Sequence, residues 1–411
     1  MRQLHRRVVV TGLGILSPIG NTIQEAWSSC IEGKSGITKV DVGIDDSPVS
    51  IGGQLKNFNP SDFLDPKEIR RIDPFIQYGV IAANQSIADS GILDFPSLNK
   101  ELVGINFGAG IGGIQTIESN KILLESKGHK KVSPFFVPGS IVNMISGLVS
   151  IKHGFMGPNT SVVTACSTGN HCIGTAARSV AYGEANVMIA GGAEMASTPL
   201  SISGFIAARA LSTNPDPESA CRPWDKDRDG FILSDGAGSL VLEEYEHAKS
   251  RGAHIYAEIC GFGMSSDAYH MTAPPADGRG AALSMKNALL DAGLNPDQID
   301  YINAHGTSTP LGDLAETHAL KNIFGSSVPS VSSTKSMTGH TLGAAGAIES
   351  IFCIKSINDN VIPPTINLTN PDPLCDLDYT PLRAVEKNVS FAMNNSFGFG
   401  GTNSTLVFKQ I

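Results

Sequence analysis

The sequence predicts an α/β protein made of two similar halves, each a β-sheet covered by helices on both faces. Three observations support this prediction. Segments of the same kind recur in the same order in the two halves of the 411-residue chain. The segments read as strands are near-continuous apolar runs separated by helical stretches, which is typical of buried sheets between helices. Charged residues make up only 17% of the chain, below the usual share of about 25%, so much of it lies in an interior.

Six elements of the first half have counterparts in the second. They are a strand with a tight turn, the end of a helix, a second strand, a third strand leading through a polar turn into a small-residue helix, and two further strands. In this order the pairs are residues 9–14 with 259–263, 88–92 with 290–294, 104–108 with 301–305, 161–169 with 330–340, 187–192 with 391–396, and 239–242 with 405–408. Ordered matches of this kind indicate duplication. The join near 250–253 predicts halves of residues 1–252 and 253–411.

Two predicted helices suit a layer shared by the halves. The stretches that follow Cys166 and His340 are rich in alanine and glycine, at residues 174–177 and 343–347. Small side chains allow helices to approach closely. With this shared layer, the two halves are expected to form a five-layer αβαβα stack.

Charge and hydropathy exclude several classes of protein. The net charge is -9, whereas a nucleic-acid-binding protein normally carries a basic field. No apolar run reaches the ~18 residues of a membrane span. The basic start of the chain leads into a strand and not into a cleavage site, so no signal peptide is expected. The seven cysteines are odd in number and form no CxxC motif, which predicts a reduced, cytoplasmic protein.

Two short motifs resemble known ligand-binding sites but lack residues that those sites need. Residues 108–113 match G-x-G-x-x-G after a strand, but the helix and acidic residue that complete a dinucleotide site are missing. We interpret this segment as a tight loop that lines a ligand channel. Residues 225–230 resemble the start of a calcium loop, but Gly236 stands where the bidentate glutamate belongs. This segment is expected to be a structural turn.

Cys166 lies at the end of a predicted strand, just before a small-residue helix. A helix N-terminus lowers the pKa of a thiol, and its N–H groups stabilise an oxyanion. On this evidence alone, a nucleophile and a buried, inert cysteine are equally good interpretations.

The duplication favours the nucleophile. The second-half counterpart of the Cys166 turn carries Lys335 and His340, and a neighbouring loop carries His305. If the halves face each other across a pseudo-twofold axis, these side chains converge, and a thiol beside two imidazoles suits acyl-thioester chemistry. Metal binding by the same thiol and imidazoles is the alternative. It is disfavoured because Lys335 would repel a cation and the ligands have no local spacing, so no metal is expected.

Residues 394–403 form an uncharged segment with three glycines around two phenylalanines. We interpret it as a mobile loop whose backbone approaches a substrate. A plain turn between two strands is the alternative. The role of His270 stays open.

Four segments together resemble one enzyme family. They are residues 164–169, residues 305–313, residues 335–340 and the Gly-Phe-Gly-Gly sequence at 398–401. In this order they are similar to the β-ketoacyl-(acyl-carrier-protein) synthases, and residues 241–249 and 261–270 point to the bacterial type II enzymes. The resemblance extends from Arg7 to Phe408 and implies the thiolase fold. It also implies condensation of acyl- with malonyl-carrier protein, with loss of CO2, in fatty-acid elongation.

The resemblance implies a role for each residue of the site. Cys166 would carry the acyl chain as a thioester, and His305 and His340 would donate hydrogen bonds to the enolate that forms when malonyl loses CO2. The N–H groups of Cys166 and Phe399 would form the oxyanion hole, and Phe399 would also act as a gate. Lys335, paired with Glu349, would set the electrostatics. No cofactor is expected, since phosphopantetheine arrives on the carrier protein.

The implied substrate-binding residues are Thr307 and Thr309 for the pantetheine arm, Ile111 and Phe205 for the acyl pocket, and Phe397. Because the carrier protein is acidic, docking on this acidic chain needs a local basic patch. The candidates are Lys67, Arg70, Arg71, Lys130, Lys131 and Arg209. The run at 67–71 fits an ordinary solvated face equally well, and the resemblance favours docking. A homodimer is also implied, with residues 143–151 and 161–164 as a candidate interface.

Three other functions were compared with this one. A thiolase that uses coenzyme A needs a second catalytic cysteine near the C-terminus, which the Gly-Phe-Gly-Gly loop lacks. A chain-length partner subunit would lack the nucleophile, whereas Cys166 is present. A polyketide-type ketosynthase stays open because its motifs overlap. Asn170 stands where a small residue is frequent in the family and bears on the reactivity of Cys166.

Overall fold

A computed structural model describes residues 6–411, so the first five residues of the predicted half 1–252 lie outside the description. The strands are β1 (Val8–Leu16), β2 (Thr38–Lys39), β3 (Ile51–Gly52), β4 (Val103–Gly108), β5 (Asn159–Thr160), β6 (Val187–Glu194), β7 (Gly236–Glu244), β8 (Ala257–Ser266), β9 (Tyr301–Asn303), β10 (Ser330–Ser332), β11 (Val361–Ile362), β12 (Val385–Glu386), β13 (Phe391–Gly398) and β14 (Thr402–Lys409). The helices are α1 (Ile23–Ile31), α2 (Pro66–Ile69), α3 (Pro74–Ser90), α4 (Ile114–Lys127), α5 (Met144–His153), α6 (Thr168–Tyr182), α7 (Pro199–Ala207), α8 (Tyr245–Ser250), α9 (Arg279–Ala292), α10 (Pro310–Phe324), α11 (Lys335–Thr338) and α12 (Ala345–Asp359).

The strand order confirms the duplication. The first half contributes the order β5-β4-β6-β7-β1, and the second contributes β10-β9-β13-β14-β8. Each strand of one series therefore has its counterpart at the same place in the other. The helices that precede β4 and β9 also end alike, because Gly91 and Gly293 both adopt left-handed backbone conformations after α3 and α9. A left-handed residue at this position is a common helix terminator and suits glycine.

The two half-sheets are joined, which the sequence did not predict. Strands β1 and β8 pair antiparallel through Val8 with Ile259, Val9 with Glu258 and Val10 with Ala257. One ten-stranded sheet results. The pairing removes an unpaired edge from each half, and unpaired strand edges are otherwise open to aggregation.

Helices α6 and α12 form the middle layer. Each contacts strands of both half-sheets, whereas α3 and α5 pack on the first half-sheet and α9 packs on the second, with α10 against it. A Cβ atom at Gly169 of α6 would lie 2.6 Å from the backbone nitrogen of Ala347 in α12. The small residues therefore let the two helices pack backbone to backbone. These contacts confirm the five-layer thiolase-like arrangement.

Asn170, which departs from the family pattern, connects the two halves. Its side-chain amide donates to the carbonyl oxygen of Asn394 in β13 at 3.1 Å. The side-chain amide of Asn394 donates back to Asn170 at 3.0 Å and to Ser350 Oγ at 2.9 Å. This buried network holds α6 against β13 and α12.

The central strands are buried along their whole length, as the apolar runs predict. All nine residues of β1 and all eight of β6 are buried. The predicted boundary at 252/253 falls between α8 and β8 and stays a prediction. Within residues 6–411, every helix is too short or too polar to cross a membrane.

Candidate active site

Cys166 sits in the middle of a short turn, Ala165–Ser167, that leads directly into α6. Ala165 has φ of 50°, a left-handed conformation that costs a non-glycine residue energy and is frequent at functional sites. The turn is held by the second half, because Ser167 Oγ donates to the carbonyl oxygens of Ser396 and Thr402 at 3.0 and 2.7 Å. The hairpin β13–β14 thus fixes the thiol at the start of the helix.

The two imidazoles lie beside this thiol. His340 Nε2 is 3.1 Å from Cys166 Sγ. The rings of His305 and His340 are nearly perpendicular, with centroids 5.3 Å apart. One ligand atom from each of the three residues falls within 4.8 Å of the others. The structure therefore brings Cys166, His305 and His340 together from both halves.

Backbone hydrogen bonds hold both histidines. The N–H of His340 donates to Ile232 O at 2.8 Å, and its carbonyl accepts from Ser234 N at 3.1 Å. The N–H groups of His305 and Gly306 donate to the buried carboxylate of Glu316 at 2.9 and 2.8 Å. The loops that carry the imidazoles are thereby fixed.

Both imidazoles are neutral. Burial lowers the pKa of His305 and of His340 well below the ordinary value, and the nearby Lys335 ammonium lowers both further. A neutral imidazole carries one N–H, so each ring offers one hydrogen-bond donor and one acceptor. Among the residues described here, neither Nδ1 atom has a hydrogen-bond partner.

Lys335 forms a buried ion pair with Glu349 of α12, as the resemblance implies. Burial raises the pKa of the Glu349 carboxyl to about 7, although the Lys335 ammonium lowers it. The backbone carbonyl of Lys335 accepts a hydrogen bond from the Cys221 thiol at 2.9 Å. This contact anchors the start of α11 under the site.

The resting thiol of Cys166 is protonated. Burial raises its pKa to about 12, and Glu194 raises it too, while Lys335 and the N–H groups of Phe399 and Cys166 lower it. The helix start alone therefore does not produce a thiolate. The two N–H groups near the sulfur are those that the resemblance assigns to the oxyanion hole.

A cavity of about 630 Å³ opens onto the thiol. Cys166, His305, His340 and Phe399 line it. The five predicted substrate-binding residues line it as well, namely Ile111, Phe205, Thr307, Thr309 and Phe397. The Oγ1 atoms of Thr307 and Thr309 lie 3.0 Å apart. The cavity thus combines apolar walls with a pair of hydroxyl groups.

The Gly-Phe-Gly-Gly sequence forms the turn between β13 and β14, and this turn lines the cavity. The mobility expected of the segment stays a prediction. A Cβ at Gly398 would lie 2.8 Å from Thr164 O, and the Phe399 side chain is 39% exposed. The turn contacts a second loop, because Gly400 N donates to Met271 O at 2.7 Å. In that loop His270 Nδ1 accepts from Thr272 N and Ala273 N, which is a local structural role.

The six basic docking candidates are all exposed. Lys67 lies on α2 and Arg70 and Arg71 follow it directly, while Lys130 and Lys131 lie in the turn after α4. The Arg71 guanidinium lies 4.8 Å from the centroid of Phe135, so the segment after α4 reaches the end of α2. Arg209 lines the cavity.

The sequence reading missed three buried carboxylates. Glu194 and Glu316 hold cavity loops through backbone N–H groups, and Asp235 accepts from Ala196 N at 3.0 Å. For Glu194 and Asp235 the signal was a lone acidic residue at the end of, or just before, an apolar strand, whereas Glu316 lies within α10 and had no such signal. In the calcium-like segment, Asp225 instead accepts from Thr369 N and Asn370 N, as expected of a turn.

The thiol and imidazoles of Cys166, His305 and His340 could also hold a metal ion by their spacing. Two features oppose it. Lys335 contributes a positive charge beside them, and metal-binding histidines normally donate their other nitrogen to a partner. No such partner faces either Nδ1 in the described part of the chain.

Comparison with known proteins gives consistent matches. The family model described as "Beta-ketoacyl synthase, N-terminal domain" matches residues 5–248, and "Beta-ketoacyl synthase, C-terminal domain" matches residues 256–369. The chain is 54% identical over 412 residues to "3-oxoacyl-[acyl-carrier-protein] synthase 2" of Coxiella burnetii, with 99% of each covered. It is 53% identical to the enzyme of the same name from Vibrio harveyi, again with 99% of each covered.

Solved structures show the same fold. A β-ketoacyl synthase from Burkholderia phymatum superposes with a TM-score of 0.92 at 36% identity, covering 99% of this chain and 100% of that one. A second structure is described as a type II PKS acyl-carrier protein in complex with its ketosynthase bound to the hexaketide. Its matching chain has a TM-score of 0.92 at 35% identity, with 99% and 100% covered.

Proposed function

The chain belongs to the β-ketoacyl synthase family, and on that premise we propose that it elongates fatty acyl chains carried by an acyl carrier protein. It is an acyltransferase-type condensing enzyme. The observation that supports the proposed chemistry best is the 3.1 Å contact between His340 Nε2 and Cys166 Sγ at the cavity.

The first step is transfer of the acyl chain to Cys166. The sulfur attacks the thioester carbonyl of the acyl carrier protein, the new Sγ–carbon bond forms, and the bond to the carrier sulfur breaks. The thiol proton ends on the carrier sulfur. Because the resting thiol is protonated, its proton passes from Sγ to the carrier sulfur as the bonds exchange, and the Nε2–H of neutral His340, 3.1 Å away, donates to the sulfur while negative charge develops on it. The N–H groups of Cys166 and Phe399 stabilise the negative oxygen of the tetrahedral intermediate.

The second step is condensation with the malonyl carrier protein. The bond to the malonyl carboxylate breaks, CO2 leaves, and the electron pair forms an enolate. The enolate carbon attacks the thioester carbon on Cys166, and the sulfur leaves and takes up one proton from water. The product is a 3-oxoacyl chain two carbons longer. Neutral His305 and His340 each donate an N–H to the enolate oxygen, and this donation accelerates decarboxylation because it is strongest in the transition state.

The cavity walls fit the two parts of the substrate. Thr307 and Thr309 supply hydroxyl groups for the polar phosphopantetheine arm, and Ile111, Phe205 and Phe397 supply apolar surface for the chain. Burial of each methylene is worth about 0.8 kcal/mol, so an apolar pocket of this kind binds a long chain strongly. The enzyme needs no resident cofactor for this reaction, since the arm arrives on the carrier.

We propose that the acidic carrier protein docks on the basic residues at the end of α2 and after α4, with Arg209 at the cavity. The support is their exposure and the contact of Arg71 with Phe135, which joins the two segments. On a chain of net charge -9, a local basic surface orients an acidic partner and raises the association rate.

We also propose a cytoplasmic homodimer. Strand β5 lies at the end of the ten-stranded sheet, and exposed apolar side chains surround it: Ile151 is 76% exposed, Met156 67% and Val163 53%. An exposed edge strand beside apolar surface is a natural interface for a second copy. All seven cysteines are free, which suits a reducing compartment.

A polyketide-type ketosynthase is the second candidate. The observation that favours it is the solved ketosynthase bound to a hexaketide, which shares the fold. That protein is 35% identical to this chain, whereas proteins named 3-oxoacyl-[acyl-carrier-protein] synthase 2 are 50–54% identical. Fatty-acid elongation is therefore the better-supported proposal.

Mass spectrometry of the intact protein tests the proposal. The protein is mixed first with long-chain acyl carrier protein and then with malonyl carrier protein. We expect an acyl adduct on Cys166, followed by release of a product two carbons longer. An adduct that is never elongated would contradict the roles of His305 and His340. Absence of any adduct would contradict the whole proposal, and successive two-carbon additions without reduction would support the polyketide alternative.

A further inference from the structure

The carboxylate of Glu194, at the end of β6, collects hydrogen bonds from two separate loops. It accepts the N–H of Gly110 at 2.6 Å, of Ile111 at 3.1 Å and of Gly112 at 3.1 Å. It also accepts the N–H of Gly343 at 3.0 Å. One side chain thus joins the loop after β4 to the turn between His340 and α12.

These four N–H groups stabilise the negative charge of the Glu194 carboxylate. The residue is fully buried, and each of its oxygens takes two of the N–H groups. Successive backbone N–H groups that converge in this way form an anion-binding concavity. Burial raises the pKa of the Glu194 carboxyl, and the same N–H groups lower it.

This arrangement explains the G-x-G-x-x-G sequence at 108–113. Its N–H groups face an anion, as they do in dinucleotide sites, but the anion is the protein's own carboxylate. A Cβ at Gly110 would lie 2.7 Å from Glu194 Oε2, and one at Gly343 would lie 2.9 Å from it. Gly112 has φ of +89°, a left-handed conformation that suits glycine.

The loops that Glu194 joins form one wall of the cavity. Ile111 and Leu342 both line it. Ile111 donates its own N–H to Glu194, and Leu342 directly precedes Gly343, which also donates to Glu194. A Cβ at Gly110 would also lie 3.3 Å from Ala165 O, so the same loop backs onto the turn that carries Cys166. A shift of the 110–112 backbone would therefore move Ile111 relative to the thiol.

We propose that Glu194 is a positioning residue that determines acyl chain-length discrimination by fixing Ile111 in the wall of the cavity. The inference deepens the proposed function and rests on it. A rigid apolar wall rejects chains that do not fit, because packed interiors yield little. A wall released from its anchor accommodates more lengths.

The test is the Glu194→Gln variant, which keeps the shape but replaces one acceptor oxygen with an NH2 group that opposes the backbone N–H donors. Acylation of Cys166 is measured as kcat/KM for carrier proteins that bear chains of increasing length. We expect the ratio between the preferred chain and the next longer ones to fall roughly tenfold, within the range that pocket contacts provide. Condensation of the pre-acylated variant with malonyl carrier protein should change less than about threefold.

Two further variants separate positioning from stability. Gly110→Ala keeps the Glu194 charge but pushes a methyl group against Oε2, and it should flatten the length profile in the same direction. If Glu194→Gln does not fold, the length profile of Gly110→Ala tests the positioning role of Glu194 instead. Glu243→Gln removes another buried carboxylate, one that pairs with Arg251 away from the cavity. It should lower the free energy of unfolding and leave the length profile unchanged.

An unchanged length profile in folded Glu194→Gln or Gly110→Ala, beside a wild type that discriminates, would overturn the inference while the proposed function stands. A flattened profile in Glu243→Gln as well would also overturn it, because general destabilisation would then suffice. If the wild type is not acylated by any carrier protein, the proposed function itself fails.

Discussion

His340 Nε2 lies 3.1 Å from Cys166 Sγ, although 174 positions separate the two residues in the sequence. The thiol stands at the start of α6 in the first half, and the imidazole follows the counterpart turn in the second. The pseudo-twofold relationship of the halves therefore brings unlike groups face to face at one cavity. A duplicated scaffold supplies the nucleophile from one copy and the hydrogen-bond donors from the other.

Cys166→Ala should abolish acyl transfer and leave the fold intact. The change removes one sulfur atom from a side chain at the cavity surface, so little packing is lost. The measurement is intact mass after incubation with acyl carrier protein, with circular dichroism to check the fold. Cys172→Ala is the matched control, because Cys172 is a buried thiol in α6, the helix that follows the Cys166 turn, and it does not line the cavity. Normal acylation of Cys166→Ala would refute the assignment of the nucleophile.

His340→Ala should block decarboxylation of malonyl carrier protein. Loss of a hydrogen-bond donor aimed at a developing oxyanion costs roughly 10²–10³ in rate. The release of CO2 from labelled malonyl carrier protein measures this step directly. His153→Ala is the control, since His153 is a partly buried histidine that contacts Asn84 and lies off the cavity. Full decarboxylation by His340→Ala would show that the imidazole has another role.

The convergence of the thiol and the imidazoles was predictable from the sequence because the repeat fixes which turns face each other. The carboxylates that hold these turns were not predictable from the sequence. Glu316 fixes His305 through two backbone N–H groups, and Glu194 fixes Ile111 in the same way. Backbone donors are present in every sequence, so no pattern reveals which ones meet a given side chain.

The fold was predictable to the level of its strands and layers. The joining of the half-sheets was not, because it depends on three residue pairs between β1 and β8. The two strands are mostly apolar, and this composition would be the same whether or not they paired with each other. Whether two neighbouring edges meet depends on the curvature of each half-sheet, which no short sequence pattern reports.

Gly169→Ala should destabilise the protein through the middle layer. The added Cβ would lie 2.6 Å from the backbone nitrogen of Ala347, an atom that cannot move without α12. Overpacking of this kind typically costs about 1–3 kcal/mol, measured as the free energy of unfolding in urea.

Gly147→Ala in α5 is the control for the Gly169→Ala change. Its Cβ would be 3.7 Å from Met144 Sδ, so the helix should gain up to about 1 kcal/mol. Equal effects of the two changes would contradict close packing of α6 on α12.

Asp235 should make stability depend on pH. Burial raises its pKa to about 7 from 3.8, although the N–H groups of Ala196 and Ser197 lower it. The folded state therefore holds the proton more tightly than the unfolded state does. The resulting stability is complete below the unfolded pKa and is lost as the pH rises through about 7.

The measurement compares the unchanged protein with Asp235→Asn by urea unfolding at several pH values. The free energy of unfolding of the unchanged protein, minus that of the variant, should fall by a few kcal/mol between about pH 4 and pH 7 and then level off. Asp297→Asn, a change at an exposed carboxylate, controls for the loss of one charge. A difference that rises over this range would contradict the direction of the Asp235 shift.

Arg70→Glu should weaken docking of the carrier protein without altering the chemistry. Arg70 is exposed beside α2 and lies outside the cavity, so under the proposed docking it would contact the carrier but not the arm or the chain. Reversal of one charge at a complementary interface acts mainly on association. KM for acyl carrier protein should therefore rise roughly tenfold at low ionic strength, and the effect should shrink with added salt, which screens exposed charges. Acylation by a short pantetheine thioester without the carrier should be unchanged.

Lys286→Glu is the control: it reverses an exposed charge on α9 and should leave both reactions as they are. If it raises KM as much as Arg70→Glu does, the net charge of the protein guides the carrier, and the patch beside α2 does not.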